Sequence, residues 1–502
     1  MTMISRLLGF VRDMLIARIF GVDMATDAFF VAFKIPNFLR RLFGEGAFAH
    51  AFVPVLSDYK ENGSKQALQL FIDRMAGSFS LILFGISVLG VIAAPLLITL
   101  LAPGFPWQGE QHDLSVQLLQ ITFPYLLFIA LVAFAGSILN AHAKFAVPAL
   151  TPVILNISMI IAAIWLAPMM SQPVTALAWG VFTAGVVQLL FQIPSLWAIG
   201  LVPKFKLGFA DAGVKKVLKL MLPAMFSVSV TQINLLLDTL VASFLPIGSV
   251  SWLYYSDRLV EFPLGILGIA LGTVILPSLS LNHAADDKAA FSSSLDWGLR
   301  LVFLIGMPAT IGLIMLAEPM LSTLFQYKEF SANDVHFASL SLRGYAIGLL
   351  GYILVKVLVP GFTSRQDLKT PVRYGIYAMI VSLALNVLAV PFAHAGLALA
   401  TSLGALYNSW LLFRKLLKEN VYQPQRGWWL FSLRILLASA AMIAVLYYWV
   451  DANWWNAWSS SQRILHLIKW VVIGCVVYFA TLMITGLKPR HLIEPHGRIE
   501  RF

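Results

Sequence analysis

Apolar residues fill the chain in blocks of about 20, the length a helix needs to cross a bilayer. Short polar or proline-containing breaks separate them. Read as spans, the blocks lie near 1–20, 24–50, 75–102, 114–141, 146–169, 174–200, 220–245, 250–280, 298–317, 337–361, 371–393, 395–413, 427–450 and 463–487. The pattern predicts an all-α polytopic membrane protein with about 14 transmembrane helices. The first block carries Arg6, Arg12 and Arg18 along its length and no small-residue cleavage site, so it reads as a span and not as a signal peptide.

Composition narrows the class. The 502 residues are 59% hydrophobic and 12% charged, whereas a soluble domain is roughly 25% charged, which excludes a soluble, secreted, fibrous or disordered chain. The single cysteine, Cys475, permits neither an intrachain disulfide nor a cysteine-based zinc site. The nine histidines are scattered, and no Walker A, dinucleotide or HExxH pattern occurs. No metal or cofactor is therefore expected, nor ATP as the energy source.

The net charge of +11 would suggest nucleic acid in a soluble chain, but here its position decides its meaning. When connections are numbered alternately, 22 Lys and Arg fall on one side, in groups such as Lys204, Lys206, Lys215, Lys216 and Lys219, or Lys288 with Arg300, and Lys328 stands alone on the other. The positive-inside rule makes the first side cytoplasmic, with both termini on it. Nucleic acid is not expected as a partner.

Short segments recur at a nearly constant offset. Asp13–Ala17 returns as Asp238–Ala242, Lys34-Ile-Pro36 as Glu261-Phe-Pro263, Val53–Ser57 as Leu276–Ser280, Thr151–Val153 as Thr370–Val372, and Ala176–Ala178 as Ala398–Ala400, at offsets from 219 to 227. Spans 1–6 and 7–12 then read as parallel copies, an arrangement that places a transporter's substrate between two lobes. The expected organisation is an N-terminal lobe at 1–200, a cytoplasmic linker at 201–219, a C-terminal lobe at 220–418, and a helix pair with a tail at 419–502.

Twelve basic residues fall within or at the ends of spans. A charge at mid-bilayer costs about 2.5–3.5 kcal/mol and normally faces the bundle interior or a wet cavity. Arg434, Arg463 and Lys469, near span ends, are expected to snorkel. In span 2, Asp27, Lys34 and Arg41 recur every seven residues, a drift of about 20° per step, and Glu45 extends the stripe. Phe29, Val31 and Phe33 take the opposite surface, and Pro36 is expected to break or kink the helix. Arg40 lies about 100° from the stripe, and Arg6 and Arg12 lie about 120° apart in span 1. With Arg258, Arg343 and Lys356 the expected interior set holds eight cations against six anions: Asp13, Asp27, Glu45, Asp238, Asp257 and Glu261. The planar guanidinium fork suits phosphate oxygens, so this surplus points to a phosphorylated or otherwise anionic substrate, while residue types leave a carboxylate equally open.

The runs Ser5–Asp13, Ala25–Asn37, Leu39-Arg40-Arg41, Glu45–Phe48, Ala51–Val55, Tyr255–Pro263 and Pro360–Asp367 together resemble the MurJ (MviN) family of bacterial lipid II flippases along essentially the whole chain. The resemblance implies the MOP exporter fold, two six-helix lobes plus two C-terminal helices, in the bacterial inner membrane. It also implies a transporter and not an enzyme, which carries the undecaprenyl-pyrophosphate-linked peptidoglycan precursor lipid II to the periplasmic leaflet by alternating access. Its partners would be lipid II, membrane lipids and other cell-wall synthesis proteins. Carried over by position, the substrate-binding residues would be Arg6, Arg12, Asp27, Lys34, Arg40, Arg41, Arg258 and Glu261, and spans 13 and 14 would form a groove for the lipid tail. Two alternatives stand beside it: an exporter of another lipid-linked oligosaccharide or of drugs, and a polytopic membrane enzyme acting on lipid-linked sugars.

Overall fold

The computed structural model describes residues 2–42, 48–450, 455 and 457–487, and among these every regular element is a helix. Glu45, Trp454 and the basic tail from Lys488 lie outside the described residues. The chain divides into two compact units, Met1–Ser251 and Trp252–Phe502.

The first unit contains α1 (Thr2–Phe20), α2 (Met24–Leu42), α3 (Phe48–Asn62), α4 (Lys65–Ile92), α5 (Ala94–Leu101), α6 (Glu110–Thr122), α7 (Tyr125–Ala141), α8 (Ala146–Ile161), α9 (Thr175–Ile199) and α10 (Ala212–Ala242). Local chemistry sets several boundaries. Ser64 caps α4 by accepting from the Ala67 amide. Gly200 ends α9 at φ +69°, a left-handed conformation that suits glycine. Asp211 caps α10 through the Gly213 and Val214 amides. Helix α3 is an element the hydropathy pattern assigned to span 2 and a connection. Its Phe48 and Phe52 are buried and stack with Phe79 and Phe71, at 4.8 and 5.8 Å between ring centroids.

The second unit contains the body of α11 (Ser249–Ala284), then α12 (Lys288–Met315), α13 (Ala317–Phe325), α14 (Ala332–Leu358), α15 (Pro360–Thr363), α16 (Lys369–Ala389), α17 (Ala393–Lys418), α18 (Trp428–Trp449) and α19 (Ser460–Ile484). Helices α14 and α17 cross so closely that a Cβ on Gly348 would sit 2.7 Å from Ser402 Cα, the small-residue contact by which helices associate in lipid. Ile435, Ala438 and Met442 of α18 and Tyr478 and Leu482 of α19 share one core with Leu304 and Ile311 of α12.

Among the described residues, nine segments are long and apolar enough to cross a membrane, and one of them, Lys369–Lys418, contains two of the expected spans. Helices α1 and α2 are not among the nine. Each carries four charged residues in nineteen: Arg6, Arg12, Asp13 and Arg18 in α1, and Asp27, Lys34, Arg40 and Arg41 in α2.

The repeat reappears as element spacing. Helices α4 and α12 are both 28 residues long and start 223 residues apart, at Lys65 and Lys288. Helices α8 and α16 start at Ala146 and Lys369, again 223 apart. Each copy buries an aspartate at the same place, Asp73 in α4 and Asp296 in α12. Each aspartate binds the segment that follows its own copy. Asp73 Oδ1 accepts from the Lys204 amide at 2.9 Å and from Gln69 at 2.7 Å. Asp296 Oδ1 accepts from Tyr422 Oη and Trp428 Nε1, both at 2.7 Å, and its Oδ2 accepts from Arg300 Nε at 2.7 Å. Arg300 also donates to the Arg426 carbonyl and lies 5.2 Å from the Trp428 ring centroid.

This hub corrects the placement of Arg300, which the charge count put in a connection: α12 starts ten residues earlier than expected because the i,i+4 pair with Asp296 satisfies the charge inside the fold. Arg463 is a second correction. It does not snorkel but is buried, its guanidinium donating to the Trp458 and Ser322 carbonyls and to Gln326 Oε1, so three backbone or amide acceptors replace water.

Asp296→Ala leaves the Arg300 guanidinium buried without its carboxylate, a change that costs about 3–5 kcal/mol. The variant should melt well below the parent in detergent, and Tyr422→Phe should lower the melting temperature less. An unchanged melting temperature for Asp296→Ala would show that the hub does not hold the second unit together.

Candidate functional site

The expected site residues of the first unit fall into two structural groups. On α1, Arg12 is buried, and its Nε and Nη2 donate to Asp13 Oδ1 at 2.9 and 2.6 Å. Its Nη1 donates to Asn156 Oδ1 of α8 at 3.0 Å. Asn156 in turn donates to the Ser5 carbonyl, so one amide fastens α1 to α8 at two levels. The planar fork lets one guanidinium serve a carboxylate and an amide together. Arg6, two turns earlier, is exposed.

On α2 the helix runs through Pro36 without interruption. Asp27 is 2% exposed. Its Oδ2 accepts from the Gly248 amide at 2.7 Å, and its Oδ1 accepts from the Ser251 amide at 2.8 Å and from Ser251 Oγ at 2.6 Å. These donors lie at the first turn of α11, where free amides and the helix dipole favour an anion. Asp27 is thus an N-cap supplied by another helix. Lys34, Arg40 and Arg41 are half-buried toward the other end of α2, and Arg40 Nε donates to Asn37 Oδ1 at 3.1 Å. The stripe read from the seven-residue spacing therefore has a buried anionic end and a more accessible cationic end. Phe29, Val31 and Phe33, on its reverse, are packed inside the protein.

In the second unit, Arg258 and Glu261 pair along α11, Nη1 to Oε2 at 2.6 Å, with the guanidinium 4.8 Å from the Tyr254 ring centroid. Both remain partly open to solvent, their side chains 25% and 41% exposed. Arg343 reaches Glu318 at 3.3 Å, and Lys356 is exposed. The structure thus joins Arg12 to Asp13 and Arg258 to Glu261, and it separates Asp27 from the cationic end of its own stripe. Among the described residues no group of three or more His, Cys, Asp or Glu side chains is placed to hold a metal ion.

Sequence reasoning missed Asn156, the Gly248–Ser251 turn, Asp73 and Asp296. A lone amide in an apolar block carries little signal. The two aspartates had one, since they stand 223 residues apart, inside the offset range of the repeat.

Residues 16–469 match the family model described as lipid II flippase MurJ. The probable lipid II flippase MurJ of Haemophilus influenzae is 46% identical, over 98% of this chain and 99% of its own length. The lipid II flippase MurJ of Burkholderia cenocepacia is 42% identical, over 97% of this chain and 96% of its own. Among solved structures, a lipid II flippase MurJ in an inward closed conformation superimposes with a TM-score of 0.79 at 29% identity, covering 96% of this chain and 98% of that one. A multidrug resistance MATE transporter of the MOP superfamily in an inward-facing conformation gives a TM-score of 0.69 at 14% identity, a likeness of fold alone.

Proposed function

The chain belongs to the MurJ family of lipid II flippases, and on that premise we propose that it carries lipid II from the cytoplasmic to the periplasmic leaflet of the bacterial inner membrane by alternating access. It is a transporter with the MOP exporter fold. The relatives favour neither an exporter of another lipid-linked oligosaccharide nor a membrane enzyme. Both termini are cytoplasmic in this reading, supported by the one-sided division of basic residues, 21 to 1 once Arg300 is taken out of the connections.

The substrate's pyrophosphate is held by guanidinium and ammonium groups of an Arg-rich central cavity: Arg6, Arg12, Lys34, Arg40, Arg41 and Arg258, with Glu261 orienting Arg258 and Asp27 setting the start of α11. The observation that carries this is the concentration of charge in α1 and α2, four residues in each nineteen-residue helix, which keeps both out of the nine segments apolar enough to cross a membrane. Such charge is retained in a membrane protein where a wet path or a charged substrate repays its desolvation. The two six-helix lobes, at 1–200 and 220–418, move about the linker at 201–219. The C-terminal pair α18 and α19 guides the polyprenyl tail.

Arg41→Ala and Arg258→Ala, stably expressed, should each fail to support growth of cells depleted of their own flippase. Lys at either position keeps the charge but not the bidentate fork and should rescue partly. Full rescue by Lys at both positions would reduce the requirement to charge alone, and normal growth of the Ala variants would remove these residues from the substrate path.

A further inference from the structure

The segment that follows α9 is not a slack tether. From Lys204 to Gly208 it lies extended along α4, and every second amide is bound there: Lys204 N–H to Asp73 Oδ1 at 2.9 Å, Lys206 N–H to the Asp73 carbonyl at 3.2 Å, and Gly208 N–H to Ser78 Oγ at 2.9 Å. The approach is close enough that a Cβ on Gly77 would fall 2.3 Å from the Lys206 carbonyl oxygen. Arg74 of α4 then pairs with Asp211 at 2.8 Å and fixes the far end of the segment.

Side chains of an extended chain alternate in direction. Lys204, Lys206 and Gly208 share one side, and Lys206 Nζ stands 3.5 Å from Asp73 Oδ2. Phe205, Leu207 and Phe209 share the other, 70%, 66% and 42% exposed. Three large apolar side chains held on one face of a pinned backbone are costly in water. Beyond them α10 begins with Val214 and Val217 buried and Lys215, Lys216 and Lys219 exposed.

The level of this face is set by α4. After Arg74 the helix runs without a charge from Met75 to Ile92, about 27 Å at 1.5 Å per residue, close to a hydrocarbon thickness of about 30 Å. Asp73 to Ser78 therefore marks the edge of the hydrocarbon, where aromatic and aliphatic side chains beside lysines suit the headgroup region.

We infer that residues 204–219 form a membrane-surface site in which Phe205, Leu207 and Phe209 enter the interface and Lys204, Lys215, Lys216 and Lys219 bind the headgroups of anionic phospholipids. The leaflet is cytoplasmic in the orientation proposed above, and the site itself does not depend on what is transported. Each lysine near an anionic surface raises affinity about fivefold.

The test uses the full chain with Cys475→Ser and Leu207→Cys, labelled at 207 with an environment-sensitive fluorophore and reconstituted in vesicles. Phosphatidylglycerol with phosphatidylethanolamine is compared with phosphatidylcholine alone. In the anionic vesicles the label should be quenched by shallow spin-labelled lipid and shielded from aqueous acrylamide. Phosphatidylcholine, or Lys204→Gln with Lys215→Gln, Lys216→Gln and Lys219→Gln, should lower the lipid quenching several-fold. A label open to acrylamide in anionic vesicles overturns the proposal, and so does equal lipid quenching in both lipids and in the lysine variant. A label shielded in native membranes but open in anionic vesicles also overturns it, in favour of an acidic protein partner. None of these readouts requires transport, so failure here leaves the flippase reading intact.

Discussion

Arg12→Ala should abolish growth of flippase-depleted cells. In the parent, Arg12 binds Asp13 through two nitrogens and Asn156 through a third, all within the protein. Truncation leaves Asp13, 1% exposed, as a buried carboxylate that has lost its guanidinium, at a cost of about 3–5 kcal/mol. Arg12→Lys offers a single ammonium that cannot span both partners, so partial function is expected. The double variant Arg12→Ala with Asp13→Ala removes both charges and separates support of the fold from contact with substrate. It should reach near-parental abundance in membranes, measured by immunoblot, and still fail to complement. Growth of the double variant would confine Arg12 to holding α1 against α8.

The second large effect is expected at Asp27. Asp27→Ala would strand the Gly248 and Ser251 amides, each buried donor costing about 1–3 kcal/mol, and would leave Ser251 Oγ with Thr26 Oγ1 at 3.3 Å in place of the carboxylate. Asp27→Asn is no remedy. Both carboxylate oxygens accept, so the NH2 of asparagine must face either the Gly248 amide or the Ser251 donors, placing donor against donor. Asp27→Glu keeps two acceptors at a longer reach and should be the mildest of the three. In the proposed orientation these groups lie at the periplasmic ends of α2 and α11, and under the proposed alternating access the contact is expected to part when the outer side opens. Disulfide trapping between cysteines at Thr26 and Ser251, in the Cys475→Ser background, should form readily in one state of the parent and arrest growth until reduced. Growth indifferent to the trap would show that this contact never has to part.

Much of this architecture is legible in the chain because lipid simplifies the code. Apolar blocks, the one-sided placement of basic residues, and the repeat all follow from period and position alone. The repeat returns in the paired starts of α4 with α12 and α8 with α16. What escaped reading depends on partners distant in sequence. Arg463 resembles a snorkelling residue until Ser322 and Gln326, over a hundred positions away, are placed beside it. Asp27 looks like the first member of a cavity stripe because its seven-residue spacing is real. Its true neighbours, Gly248 and Ser251, are carried by a turn that no local pattern links to it. Helix α3 was lost because its buried phenylalanines continue the apolar run of the block before it.

A flippase moves lipid II across a bilayer without altering it, and this chain should do the same. Purified protein reconstituted in proteoliposomes with fluorescent lipid II, probed by a membrane-impermeant reagent, tests it directly. The protein should make inner-leaflet lipid II accessible to the reagent outside, the recovered lipid should be chemically unchanged, and Arg258→Ala reconstituted at equal density should fail to expose it. Accessibility no greater than in protein-free vesicles, or recovery of a cleaved or extended product, would contradict it.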